Sequence, residues 1–199
     1  MADLPGDVLN LLGGHPAVES ARLIGSRANG TATPISDWDF EVEARDFPAL
    51  AAALPGLFAP LRPLCTQWDR LSKHQTFMVI LPGAEKVDLL FLGQPHAIEP
   101  PWRVSADTLP AIDGHFWDWI LWLASKVLNG RGELVREELA KLHEHILGPM
   151  GAPIPDSLEQ AVAEYRRARS LAERRYGVEV RRALEDAVAG RLRGGGFAV

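Results

Sequence analysis

The sequence predicts an α+β fold: an N-terminal mixed β-sheet flanked by helices, followed by a C-terminal helical bundle. Strand-like segments with apolar and polar residues in alternation recur up to about residue 95. From residue 114 onward the apolar residues recur at helical spacing instead. The proline-rich segment "GQPHAIEPPWRVSADTLP" separates these two patterns. We therefore expect two domains, at residues 1–100 and 101–199.

The first half begins with a short helix and a strand. "DVLNLLGG" predicts a helix that ends at its two glycines, and "SARLIGS" predicts a strand that ends at Gly25. "DWDFEVEA" predicts a second strand, since every other residue is acidic. Strand geometry places these acids on one face: Asp37, Asp39, Glu41 and Glu43.

A helix and three strands follow. "FPALAAALPGLF" predicts a helix that breaks at Pro55-Gly56, because proline lacks the backbone donor that a helix interior requires. The segments "LCTQWDRLS", "TFMVILPG" and "KVDLLFLG" predict strands, since each is rich in β-branched, aromatic or other apolar residues and is bounded by polar or turn residues.

The second half predicts four helices. The first is predicted in "GHFWDWILWLASKVLNG", where Phe116, Ile120, Leu123 and Val127 are spaced three or four residues apart, as on the buried face of a helix. Asn129-Gly130 marks its end. The other three helices are predicted within "ELVREELAKLHEHILG", "DSLEQAVAEYRRARSLAERRYG" and "EVRRALEDAVAGRL".

Composition limits the class of protein. With 47% hydrophobic and 24% charged residues, the 199-residue chain is typical of globular proteins. A net charge of −5 disfavours a general nucleic-acid binder, whose affinity would depend on a basic surface. The apolar runs are shorter than the ~20 residues of a membrane span. A single cysteine, Cys65, excludes an internal disulfide. We expect a cytoplasmic protein without a membrane partner.

Asp37 and Asp39 form an Asp-x-Asp pair whose carboxylates point in the same direction. Two uncompensated acids at this spacing repel each other, which raises one pKa. A divalent cation removes the conflict, and Mg²⁺ in particular prefers oxygen ligands. Taken alone, such a pair is more often two solvated acids on an edge strand.

Three neighbouring features favour a site over solvated acids. Gly25-Ser26 closes the preceding strand, and a tight turn there lets backbone N–H groups and a small hydroxyl approach a phosphate. Arg27 and a polar loop connect this turn to the acidic strand. Asp88 interrupts an apolar strand whose same-face neighbours, Leu90 and Leu92, are apolar. A strand-end aspartate facing water is the alternative for Asp88.

The segments "GSRANGTATPISDWDF" and "KVDLLF" together resemble the nucleotidyltransferase superfamily of DNA polymerase β-like fold. The helical half resembles, more loosely, the C-terminal domain of the aminoglycoside nucleotidyltransferases. The resemblance implies that Asp37 and Asp39 bind two Mg²⁺ ions, and that Asp88 shares one and helps to activate the acceptor hydroxyl. It also implies that Gly25 and Ser26 hold the triphosphate of an NTP, with ATP expected.

Nucleotidyl transfer requires these residue types. The reaction is an in-line displacement at phosphorus, and two metal ions stabilise the attacking and the departing oxygen. The phosphates also need cationic partners. Arg27 is one candidate. Lys126 is the other, because the family commonly places a triphosphate-binding lysine on a helix in this region. The alternative for Lys126 is a surface lysine favoured by the helix dipole.

The main hypothesis is a Mg²⁺-dependent enzyme that transfers AMP or another NMP to a hydroxyl of a small acceptor. The resemblance suggests an aminoglycoside-like molecule as one acceptor. Asp113 or Asp118 stays open as the general base in place of Asp88. One alternative is an antitoxin-type enzyme that adenylylates a protein, although such enzymes are usually bare catalytic domains. Another is a nucleotide-binding or interaction module without catalysis.

Overall fold

The computed structural model describes residues 3–199, which form two compact units. One unit contains the described residues up to Ala32 together with Ser36–Ile98, and the other contains Thr33–Ile35 and Glu99–Val199. The first holds a mixed β-sheet with helices, and the second is helical. The predicted α+β class is therefore confirmed. The assignment of residues 1–100 to catalysis stays a prediction.

The first unit contains one five-stranded sheet in the order β1-β2-β5-β4-β3. The β2–β5 pair is parallel, and the other three pairs are antiparallel. The elements follow the chain as α1 (Leu4–Gly13), β1 (Val18–Ile24), α2 (Gly25–Ala28), β2 (Trp38–Ala44), α3 (Phe47–Phe58), β3 (Cys65–Trp68), β4 (His74–Leu81) and β5 (Glu85–Pro95). A short 3₁₀ turn, Ala59–Leu61, follows α3.

The core of the first unit lies on one face of this sheet. Phe40 and Val42 of β2 and Leu89 and Phe91 of β5 are buried there, together with apolar residues of α1 and α3. Since side chains alternate along a strand, the residues between these positions point to the opposite face. Asp39 and Asp88, which directly precede Phe40 and Leu89, point to that opposite face as well.

The predicted break of α3 at Pro55 is wrong, because the helix continues to Phe58. Proline removes one helical hydrogen bond and crowds the preceding turn. Leu50, Leu54 and Phe58, four residues apart, are nevertheless fully buried. We infer that burial of this stripe outweighs the cost of the proline, since each such side chain contributes about 1.5–3 kcal/mol. Asp46 caps the helix, accepting a hydrogen bond from the Ala49 amide at 3.1 Å.

The second unit contains α4 (Leu109–Leu128), α5 (Gly132–Leu142), α6 (Leu158–Tyr176) and α7 (Ala183–Gly194), with one π-helical turn at His143–Leu147. The predicted four helices are confirmed, although α4 begins at Leu109, before the predicted start. It is buried on nearly all sides between residues 112 and 125, as expected for the central helix of a bundle. None of the helices in the described part of the chain has both the length and the hydropathy that a membrane crossing requires.

Candidate metal centre

Asp37, Asp39 and Asp88 lie together in the first unit. Each offers one carboxylate oxygen, and these oxygens lie within 4.8 Å of one another. The parallel β2–β5 pair accounts for two of them, because its register sets Asp39 directly beside Asp88. Asp37 lies immediately before β2. Strand pairing therefore assembles carboxylates from distant parts of the sequence.

The cluster is largely removed from solvent. Asp37 is 5% exposed and Asp88 is 9% exposed, while Asp39 is half-buried. Burial is the main cause that raises the pKa of Asp88; Lys86 opposes the rise, and the nearby charge of Asp37 adds to it. Like charges held together in a poorly hydrated place are unfavourable without a cation. Their proximity therefore favours cation binding.

Lys86 contacts the cluster directly. It is 5% exposed, and its ammonium hydrogen-bonds to both carboxylate oxygens of Asp88. The sequence pattern did not single out this residue. A signal was present, because positions 86 and 88 of one strand share a face. The ammonium partly compensates the buried negative charge of Asp88.

Gly25 lies against Asp39. The two strands β1 and β2 pair Ile24 with Asp39, which brings the following turn close to the carboxylate. Gly25 has a φ of +71°, and a Cβ added there would lie 2.3 Å from Oδ2 of Asp39. Glycine is therefore required at position 25 for two reasons: its positive φ, and the lack of space for a Cβ beside the Asp39 carboxylate.

Arg27 belongs to the same turn and contacts the segment that carries Asp37. Its Nε donates to the carbonyl oxygens of Ser36 and Asp37, at 3.1 Å each, and one terminal nitrogen donates to Ser36 O at 2.6 Å. Its guanidinium carbon lies 3.8 Å from the centre of the Trp38 ring. Ser26, half-buried, accepts a hydrogen bond at its carbonyl from the Thr31 amide at 2.9 Å. Whether Gly25, Ser26 and Arg27 contact a nucleotide stays a prediction.

Lys126 lies in the second unit, in the last turn of α4. Its Nζ lies 4.7 Å from the centre of the Trp122 ring, a cation–π distance. This contact fits the surface lysine at a helix end that the sequence left as the alternative. Its role in binding a triphosphate stays a prediction.

Of the two alternative bases, Asp113 is held in a hydrogen-bond network of the second unit. It accepts hydrogen bonds from Tyr165 Oη at 2.8 Å, Arg169 Nη1 at 2.9 Å and Trp117 Nε1 at 3.3 Å. Arg169 also pairs with Glu185 of α7. We therefore interpret Asp113 as a residue that joins α4, α6 and α7. Asp118 is buried on α4.

The three aspartates fit a hard divalent cation. All the donors are carboxylate oxygens, which Mg²⁺ prefers, and they are close enough together to share ions. The buried like charges supply the electrostatic reason for binding. The residues that would hold the metal are Asp37, Asp39 and Asp88.

No family model matches the chain, and no curated protein matches it. Among solved structures, the chain is similar to an aminoglycoside 6-adenyltransferase from Bacillus subtilis. The identity is 10%, the TM-score is 0.33, and the match covers 94% of this chain and 95% of that one. A likeness at this level is too low to assign a fold family or an activity to the chain.

Proposed function

We propose that the chain is a Mg²⁺-dependent nucleotidyltransferase, which transfers AMP or another NMP from an NTP to a hydroxyl of a small acceptor. The observation that carries the proposal is the gathering of Asp37, Asp39 and Asp88, whose oxygens lie within 4.8 Å of one another, beside the Gly25 turn. Three neighbouring acids, two of them buried, repel one another, and a bound cation relieves this repulsion.

The aspartates have two roles in the reaction. Asp37 and Asp39 would hold two Mg²⁺ ions, and Asp88 would be a further ligand. When bound, such a pair of ions stabilises the charge that develops on the attacking and departing oxygens. Asp88 also helps to remove the proton of the acceptor hydroxyl.

The bond changes follow from this arrangement. The acceptor oxygen forms a bond to the α-phosphorus, the bond from that phosphorus to the bridging oxygen breaks, and pyrophosphate leaves. We assign the triphosphate to the backbone of Gly25 and the hydroxyl of Ser26. The expected nucleotide is ATP, and an aminoglycoside-like molecule is one acceptor that the sequence motifs suggest.

Nucleotide titration tests the metal dependence. ATP and GTP are titrated into the protein by calorimetry, with Mg²⁺ and then with EDTA. We expect binding that weakens markedly in EDTA, because the metal joins the phosphates to the aspartates. Equal affinity in both conditions would contradict a two-metal site.

An acceptor screen tests the reaction itself. Pyrophosphate release is measured with each NTP and a panel of small hydroxyl compounds, including aminoglycosides, and with protein mixtures. The matched control is Asp39→Asn, which keeps the shape of the side chain but removes a metal ligand. Release that needs a small acceptor and is lost in this variant supports the proposal. Release at the parental rate in Asp39→Asn contradicts it.

A further inference from the structure

Arg27 contacts the backbone that carries the first aspartate of the cluster. Two of its nitrogens donate to carbonyl oxygens of Ser36 and Asp37, at distances between 2.6 and 3.1 Å. Carbonyls bonded to a planar guanidinium are restricted in both position and direction. The backbone of Asp37, and with it the starting point of its side chain, is therefore held by Arg27.

Trp38 extends this contact to the strand that carries Asp88. The guanidinium of Arg27 lies 3.8 Å from the centre of the Trp38 ring, within the range of a cation–π contact. On the same side chain, Trp38 Nε1 donates to the Glu85 carboxylate at 3.0 Å. Glu85 is the first residue of β5. Trp38 is the residue between Asp37 and Asp39. The contacts from Arg27 to Trp38 and from Trp38 to Glu85 therefore pass through the Asp-x-Asp pair.

We propose that Arg27 is a positioning residue of the metal centre, which acts by holding the backbone of Asp37 and the ring of Trp38. The proposal rests on the proposed function, since it presumes that the aspartates bind metal. It assigns Arg27 an action on the protein's own ligands, which differs from the contact with phosphate that the sequence suggested.

The charge of Arg27 makes the two roles separable. A fixed positive charge near a cation site weakens cation binding by Coulomb repulsion. If Arg27 acts only through its charge or through the phosphates, its removal strengthens metal binding in the absence of nucleotide. If Arg27 holds the ligands in place, its removal weakens that binding. The two roles therefore predict changes of opposite sign.

The test is a Mn²⁺ titration without nucleotide, followed by electron paramagnetic resonance, of the full chain and its variants. Loss of a residue that orients metal ligands typically weakens metal affinity 10- to 100-fold. We expect about a tenfold loss in Arg27→Gln. Arg27→Lys keeps the charge but cannot hold two carbonyls and the ring together, so we expect a similar loss.

The matched control is Arg22→Gln, which removes an arginine from β1 of the same unit. The Arg22 side chain is 72% exposed and pairs with Glu41, so we expect less than a twofold change in affinity. Nucleotide affinity in EDTA is measured in parallel. A positioning role leaves this affinity unchanged in Arg27→Lys and Arg27→Gln, whereas a phosphate contact lowers it in Arg27→Gln.

Failure of this inference and failure of the proposed function give different results. If the parent binds Mn²⁺ and both Arg27 variants bind it equally well or more tightly, the positioning role is overturned and the metal site stands. If the parent itself does not bind Mn²⁺, the proposed function is overturned, and the positioning role with it. Circular dichroism confirms that each variant is folded, and Arg27→Lys, which retains the cation, decides the result if Arg27→Gln does not fold.

Discussion

Each unit of the protein buries acidic side chains, but their neighbours differ. In the first unit, burial raises the pKa of Asp88, the ammonium of Lys86 opposes the rise, and the charge of the neighbouring Asp37 adds to it. In the second unit burial also raises the pKa of Asp113, but hydrogen bonds from Arg169 and Tyr165 oppose the rise. Buried acids that meet only donors are typical of structure, and buried acids that also meet other acids are typical of a site.

The second unit also shows how hydrogen bonds from cationic donors affect a buried acid. Glu185 accepts hydrogen bonds from Arg166 at 2.6 Å and from Arg169. Burial alone would raise the pKa of Glu185, but the hydrogen bonds from the two arginines lower it. Burial of an acid is therefore not by itself evidence for a functional site. The acidic neighbour Asp37, present beside the cation Lys86, distinguishes Asp88 from Asp113 and Glu185, which are held by donors.

Removing one carboxylate from the metal centre should have the largest effect. In Asp39→Asn we expect the rate of transfer to fall roughly a thousandfold. Bound metal ions lower the activation barrier by several kcal/mol, and each 1.36 kcal/mol of barrier changes the rate tenfold. The free energy of unfolding should not fall, because the amide relieves repulsion among the acids. Pyrophosphate release and urea unfolding measure the two quantities.

The control for Asp39→Asn is Glu43→Gln, on the same face of β2. Glu43 accepts a hydrogen bond from Ser20 at 2.6 Å on the exposed surface, so its variant should retain transfer. If the two variants lose transfer equally, the total negative charge on this face of β2 matters more than the cluster of three aspartates.

Breaking the network of the second unit should affect stability. Arg169→Met leaves Asp113 and Glu185 buried with fewer partners, and loss of one partner of a buried pair costs about 3–5 kcal/mol. Urea unfolding measures this loss. Arg167→Met is the matched control, since that side chain is 68% exposed and pairs with Glu164; we expect a loss below about 1 kcal/mol. Equal losses of unfolding free energy in the two variants would show that the buried network stabilises the protein no more than the exposed pair does.

Gly25→Ala should combine a moderate loss of stability with a loss of transfer. A positive φ costs a non-glycine residue about 1–2 kcal/mol, and the new Cβ would displace the carboxylate of Asp39. Gly30→Ala separates the two causes, because Gly30 has a φ of +70° and no atom within 4 Å of the added Cβ. We expect similar unfolding energies for the two variants, with transfer lost only in Gly25→Ala. Normal transfer in Gly25→Ala would show that the carboxylate does not depend on this contact.

The smallest effect is expected from a partly exposed ion pair in the second unit, Arg182–Glu173. The hydrogen bond from Arg182 is the main cause that lowers the pKa of Glu173 below its usual 4.5. Since the folded pKa is the lower one, the pair stabilises the fold above about pH 4.5, and this stabilisation is lost as the pH falls through the folded pKa.

Thermal unfolding of Glu173→Gln measures the size of this contribution. Because Arg182 is partly exposed, we expect the variant to lose less than about 1 kcal/mol at pH 7. The difference from the parent should shrink as the pH falls below about 4.5 and through the lower folded pKa. A difference that grows in acid would contradict the assigned direction.

Local patterns predicted much of the fold. Alternation in "DWDFEVEA" placed Asp39 and Glu41 on the face opposite Phe40 and Val42, and the buried Phe40 and Val42 agree with this. The prediction that α3 breaks at Pro55 was wrong, because the helix continues to the buried Phe58. Such decisions depend on what packs against the segment, which a short window of sequence does not contain.

The sequence by itself determined the residue types of the candidate site: an Asp-x-Asp pair, a glycine-serine turn before it and a lone acid in an apolar strand. Only the tertiary structure decided which of these meet. The parallel register of β2 and β5 sets Asp39 beside Asp88, and the turn after β1 brings Gly25 against Asp39. The physical reason is that strand alternation is local, whereas register and close approach are settled by packing between distant segments.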